Sequence, residues 1–346
     1  MSNKFVEQLN EYKGQCDAFI DGSGAAEFLT SFGLDREMGT YISALLRHSS
    51  GGKRIRAYLV SLGYSLFKGF DNAKDVLVPS LSYEFFQTGI LAHDDIIDNS
   101  DFRRFKPSMH KDLGQGHDGV SKSICVGDFG IVSAIEILQK CDFSNSIKLR
   151  AISHQNKVFS ATIAGELKDI EFSYCSEALE SEVLDMYRLK TAQYTVSGPL
   201  VLGAILAGAD EESIKILSEF GDAVGISFQI RDDILGIYGD ETKVGKSIVS
   251  DMCEGKKTVL VSHFNSVASI DTKKNFNSVY GKEESSIAEL EMVREILSES
   301  GSLEYANNLC KQYTVRAENL LSKMQLSDEG KKLLCGLLEY MTNRTY

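Results

Sequence analysis

VLVPSLSYEFFQTGILAHDDIIDNSDFRR, residues 76–104, carries the reading of the whole chain. From Val76 to Ser100 the apolar residues recur at helical spacing, and the run closes on His93-Asp94-Asp95-Ile96-Ile97-Asp98. Residues four apart share a helical face, so Asp94 and Asp98 point the same way, with Gln87 on that face two turns earlier. Like charges at this spacing destabilise a helix unless something neutralises them. A divalent cation does so, and Mg2+ in particular takes one or two carboxylates together with phosphate oxygens and water.

A second apolar helical run, Ser213–Tyr238, ends in the same manner on FQIRDDILG, residues 228–236. Gln229, Asp232, Gly236 and Asp240 follow one another at spacings of three and four, along one helical face. An isolated acidic helix end is an ordinary solvated surface. Two of them, each with cations nearby, point to metal and phosphate chemistry.

The rest of the chain reads as helix almost throughout. Helical runs cover about 55–70, 121–139, 148–173, 180–209, 256–269, 285–298, 303–323 and 329–342, and no stretch alternates as a strand would. Three prolines in 346 residues leave long helices unbroken. The stretch Asp271–Glu284 is polar and is expected to be a loop. Thr191–Ala209 is free of charge but contains Gln193, Pro199 and three glycines, so it reads as a buried core helix and not as a membrane span. The hydrophobic fraction of 43% supports a large core, and nothing resembles a linker.

A net charge of −12 argues against bulk attraction to nucleic acid or anionic membrane. Anionic ligands must then be held by local cations. Ser50-Gly51-Gly52-Lys53-Arg54-Ile55-Arg56 places three cations at a helix start, where backbone N–H groups attract phosphate. Arg103 and Arg104 follow the first aspartate cluster, Lys190-Thr191 open the uncharged helix, and Lys246, Lys256 and Lys257 follow the second cluster. The seven scattered cysteines, without a C-x-x-C pair, and the polar start MSNKFVEQLNEYKG fit a cytoplasmic protein with no secretory leader.

These motifs, in this order, resemble the trans-polyprenyl diphosphate synthases: GGKRIR from Gly51, DDIID followed by RR, KTA, FQIRDD and GKSIVSDMCEGKKT to Thr258. The resemblance implies an all-α isoprenoid synthase fold over residues 1–346 as one domain. It further implies an orthogonal bundle of roughly ten to fifteen helices around a central cavity, usually as a homodimer. It implies an enzyme that joins isopentenyl diphosphate to an allylic diphosphate, with about three Mg2+ ions per site.

Carried over position by position, the resemblance makes Asp94, Asp95, Asp98 and Asp232 metal ligands, with Asp233 acting through water. It gives Lys53, Arg56, Gln87 and Arg104 to isopentenyl diphosphate. Arg103, Lys190, Gln229, Lys246 and Lys256 go to the allylic diphosphate, and Thr191 and Gln229 to the reacting centre. Gly89 and Ile90 fall where the family places the floor of its product cavity, and a glycine there implies a product longer than farnesyl, geranylgeranyl before longer chains. Gly236 stands where many members have a third aspartate, with Asp240 as a substitute that holds metal-bound water.

Three other readings compete. A terpene cyclase would share the first motif but carry a different second one and lack the isopentenyl site. A non-catalytic subunit of a heteromeric synthase would typically lose aspartates of the first motif, and all three are present. A His-Asp phosphohydrolase, suggested by His93-Asp94, needs further histidine ligands that the remaining five histidines do not supply in any matching pattern.

Overall fold

A computed structural model describes residues 4–33, 35–239, 250–282 and 284–342. These residues are helical almost everywhere, as expected. Their contacts fall into two compact units, residues 1–155 with 199–210, and residues 156–198 with 211–346.

The first unit holds α1 (Lys4–Asp21), α2 (Ser23–Thr30), α3 (Asp35–Ser49), α4 (Ile55–Lys68), a 3-10 turn (Phe70–Val76), α5 (Leu77–Ile97), a short hairpin of β1 (Phe102–Arg103) and β2 (Lys106–Pro107), α6 (Met109–Asp112) and α7 (Gly116–Lys140). Pro79 sits in the first turn of α5, where its missing N–H breaks no ladder bond. The buried residues of α1, Phe5, Leu9, Tyr12, Cys16 and Ile20, recur at helical spacing. Tyr83, Phe85, Phe86, Leu45 and Leu59 are fully buried in this unit's core.

The α5–α7 crossing is close because both helices present glycine. A Cβ built on Gly89 would lie 2.5 Å from the Gly127 carbonyl oxygen, and one on Gly127 would lie 2.5 Å from His93 Nε2. Gly89 therefore lacks a side chain so that α7 can approach. That packing demand stands beside the product-length role that the resemblance implies for Gly89.

Helix α8 (Asn145–Ser173) begins in the first unit and ends in the second, α9 (Glu180–Met186) and a π-helix (Tyr187–Ser197) belong to the second, and α10 (Gly198–Leu206) belongs almost wholly to the first. The second unit is completed by α11 (Glu211–Tyr238), α12 (Ser250–Cys253), α13 (Val259–Val267), α14 (Ile270–Asn277), α15 (Ile287–Glu299), α16 (Ser302–Lys323) and α17 (Asp328–Thr342). Its core packs α11 against the π-helix and α16, with Ile230, Phe264, Leu290, Val293 and Leu297 almost wholly buried.

Two expectations change. Residues 271–284 do not form one loop, because α14 occupies their first half. Ser269 caps it by accepting from Thr272 N at 3.2 Å, and Phe276 anchors it as its one buried residue. Lys190 and Thr191 do not open a helix, since they lie inside the π-helix that carries α9 into α10. The uncharged stretch is core as expected, with Ala192, Leu200 and Leu202 fully buried. No helix among the described residues is long and apolar enough to cross a membrane.

Candidate active site

In the first unit the aspartates gather where α5 stops. Asn99 takes a left-handed conformation, φ 51°, and closes the helix. Its N–H donates to Ile96 O at 3.3 Å, and Ser100 N–H donates to Asp95 O at 2.9 Å, the paired bonds of a Schellman ending. Asp98 is thereby the capping residue and is exposed, Asp94 is half-buried, and Asp95 is buried. The chain then turns back through the hairpin, pairing Phe102 with Pro107 and Arg103 with Lys106. Its two central residues, Arg104 and Phe105, both have positive φ, 53° and 62°. This is the turn whose twist suits a two-residue hairpin, although glycine and asparagine usually occupy it.

The turn aims Arg103 at the aspartates. Its Nε donates to Asp95 Oδ1 at 2.7 Å and its Nη2 to Asp94 Oδ2 at 2.8 Å. One guanidinium thus offsets the repulsion between two adjacent carboxylates. Burial still pushes the Asp95 carboxyl above the usual carboxylate range, against the opposing pull of Arg103. Beside them lies a cavity of about 110 Å3, lined among others by Arg47, Ser50, Arg103, Arg104 and Lys106. Such a cationic recess suits an anion that approaches the carboxylates together with a metal.

The GGKRIR segment divides its cations between two tasks. Lys53 is exposed and Arg56 half-buried. Arg54 is buried in a left-handed backbone conformation, φ 57°, and ends the loop at α4. Its Nε donates to Asp17 and its Nη1 to Glu84, each at 2.8 Å. Glu84 lies on α5, one turn before Gln87, so Arg54 fastens the basic loop to the helix that carries the aspartates. No sequence signal separated Arg54 from its neighbours.

The second unit contains the other cluster. Asp232 is exposed on α11, whereas Asp233 is buried. Asp233 Oδ1 accepts from Gln229 Nε2 at 2.8 Å, Gln229 Oε1 accepts from Thr191 Oγ1 at 2.8 Å, and Tyr187 Oη donates to Asp233 Oδ2. Thr191 and Gln229, both given to the reacting centre by the resemblance, are thus hydrogen-bonded to each other. Tyr187 was not foreseen. Lys190 is held by Glu166 at 2.8 Å and Asp169 at 2.5 Å, both on α8. Burial alone would lower its pKa, but the two carboxylates outweigh burial and hold it above the usual lysine range. Gly165 permits this grip, since a Cβ there would run into the Lys190 backbone. Lys256 pairs with Glu254 at 3.0 Å. Lys246 and Asp240 lie outside the described residues.

The acidic donors are all carboxylate oxygens, which suit a hard cation such as Mg2+. Among the described residues no three His, Cys, Asp or Glu side chains form a ready metal cluster. Mg2+ does not require one, because it completes its shell with substrate phosphates and water. The residues therefore fit the ion.

Residues 40–297 match the description of the polyprenyl synthetase family. The chain belongs to that family. Among similar polyprenyl synthetases, the geranylgeranyl diphosphate synthase of Methanosarcina mazei is 32% identical over 342 residues, covering 99% of this chain and 98% of the relative. A geranylfarnesyl diphosphate synthase of Aeropyrum pernix is 31% identical over 299 residues, covering 85% and 91%. The crystal structure of geranylgeranyl pyrophosphate synthase from Corynebacterium glutamicum, complexed with isoprenyl diphosphate and magnesium, superposes with a TM-score of 0.85. It is 31% identical and covers 100% of both chains. The fold is accordingly the all-α fold of isoprenoid synthases.

Proposed function

We propose that this polyprenyl synthetase joins isopentenyl diphosphate to an allylic diphosphate, with geranylgeranyl diphosphate as its main product. The observation that carries the reading is the pairing of Arg103 with Asp94 and Asp95 beside a recess lined by further cations, in a chain similar over its whole length to geranylgeranyl diphosphate synthases.

Asp94, Asp95, Asp98 and Asp232 are the residues to hold Mg2+, about three ions per site. When bound, Mg2+ would neutralise the diphosphate as the allylic C–O bond breaks. Lys190, held charged by Glu166 and Asp169, adds a fixed cation for the leaving group. Arg103, paired with Asp94 and Asp95, lies where it would serve the allylic diphosphate once those carboxylates held a metal. Lys53, Arg56, Gln87 and Arg104 hold isopentenyl diphosphate, whose double bond attacks the allylic carbocation before a proton is lost. Lys246 and Lys256 complete the cationic set, with Thr191 and Gln229 near the reacting carbons. Asp233 is a buried anchor for Gln229, so its contribution is to positioning. The same resemblance supports a homodimer in the cytoplasm.

The experiment is an incubation of the purified chain with labelled isopentenyl diphosphate and dimethylallyl, geranyl or farnesyl diphosphate. Products longer by one isoprene unit per turn are expected, ending at geranylgeranyl. Chelation should abolish activity and Mg2+ restore it, and Asp94→Ala should lower turnover by orders of magnitude without loss of helicity. An Asp94→Ala enzyme of full activity overturns the assignment.

A further inference from the structure

We infer that Tyr187 is a positioning residue for this reaction, holding in place the Asp233 carboxylate that orients the Gln229 amide towards Thr191. The inference rests on the proposed function.

Tyr187 begins the π-helix and is almost completely buried, at 1% exposure. Its oxygen accepts the N–H of Val259 at 3.1 Å, and its single proton goes to Asp233 Oδ2. The Asp233 carboxylate can only accept. It takes the NH2 end of Gln229 at 2.8 Å. An amide has two ends of nearly equal shape, and only its partners distinguish them. With NH2 committed to Asp233, the carbonyl end of Gln229 is left to receive the Thr191 hydroxyl at 2.8 Å.

The donors therefore run in one consistent order. Val259 N–H fixes Tyr187, Tyr187 and the Gln229 NH2 fix Asp233, and the Gln229 carbonyl fixes the Thr191 proton. Tyr187 reaches the reacting centre only through Asp233. It also ties the first residue of α13, just after the EGKKT loop, to the aspartate-bearing helix α11. Gln229 and Thr191 belong to the reacting centre in the proposed function, so the orientation they share bears on turnover more than on the capture of isopentenyl diphosphate.

The test compares full-length wild type, Tyr187→Phe, Gln229→Leu and the double variant at saturating Mg2+, with circular dichroism confirming the fold. Tyr187→Phe removes one oxygen and keeps the ring. It is expected to lower kcat about tenfold, the effect of one lost hydrogen bond in a buried network, while KM for isopentenyl diphosphate stays within about twofold. In the Gln229→Leu background the same change should cost nothing further. Tyr187→Phe within twofold of wild-type kcat overturns the inference, and so do effects that multiply in the double variant. If Tyr187→Phe does not fold, Asp233→Leu takes its place, because it removes the acceptor that holds the Gln229 amide without touching the ring. It should show the same kcat loss and the same cancellation with Gln229→Leu, and an unchanged kcat overturns the inference. A wild type with no condensation activity overturns the proposed function and this inference with it. An active wild type unaffected by either change removes the inference alone.

Discussion

Asp95 and Arg54 carry opposite lessons about burying charge. The Asp95 carboxyl is 2% exposed, and its folded pKa is raised above the ordinary 3.8, with burial as the largest cause. A raised folded pKa means that ionisation works against folding. The contribution of Asp95 to stability is complete below the unfolded value and is lost as pH rises through the folded one. In magnesium-free buffer, Asp95→Asn should therefore melt higher than wild type at pH 7, and the gap should close towards pH 4. Melting curves at several pH values check this, and a gap that widens on acidification contradicts it. Arg54 is the reverse case, since Asp17 and Glu84 surround it with matching charge. Arg54→Leu would leave Glu84, 3% exposed, as an uncompensated buried anion, and urea unfolding should show a loss of about 3–5 kcal/mol. Arg54→Leu combined with Glu84→Leu should lose less than Arg54→Leu alone.

At the level of the element, the α5–α7 crossing changes what product length can depend on. Any side chain at Gly89 meets the backbone of α7 at Gly127. Gly89→Phe should push the helices apart and lower stability by about 1–3 kcal/mol or more, as overpacking does. Ile90, half-buried next to it, is the cleaner probe of the cavity floor. Ile90→Phe should shift the product towards farnesyl diphosphate with little loss of stability, and product sizing checks it. Helices α5 and α11 could be read from sequence because apolar periodicity and terminal aspartates agree. The hairpin could not, because Arg104 and Phe105 adopt positive φ without the Asn or Gly that marks such turns. Helix α14 was hidden by its polarity, one buried phenylalanine giving no period. The roles of Arg54 and Tyr187 depend on partners far away in sequence, which no local pattern reveals.

For the whole molecule, the net charge of −12 makes the cation-lined recess an exception on an acidic protein. Two anionic substrates must be captured by local geometry, since the overall field repels them. Helix α8 also leaves Leu149, Ile163 and Leu167 exposed, at spacings of fourteen and four that keep them on one helical face. This supports the homodimer implied by the family likeness. Light scattering should give twice the 38.2 kDa of one chain. Leu167→Glu should shift the particle towards the single-chain mass, and an unchanged dimer mass would mean that the association uses another surface.

The π-helix of residues 187–197 has a consequence for how this site can be altered. A π ladder accommodates residues that an α ladder would reject, and each residue added to or taken from a helix turns everything beyond it by about 100°. Lys190, Thr191 and Tyr187 all lie within that stretch. Substitutions can only exchange what is presented there. A one-residue deletion would instead re-phase the strip, rotating Tyr187 and Lys190 relative to Ser197 and the helix beyond it. Drift by insertion and deletion is therefore closed to this segment, which α9 and α10 flank directly.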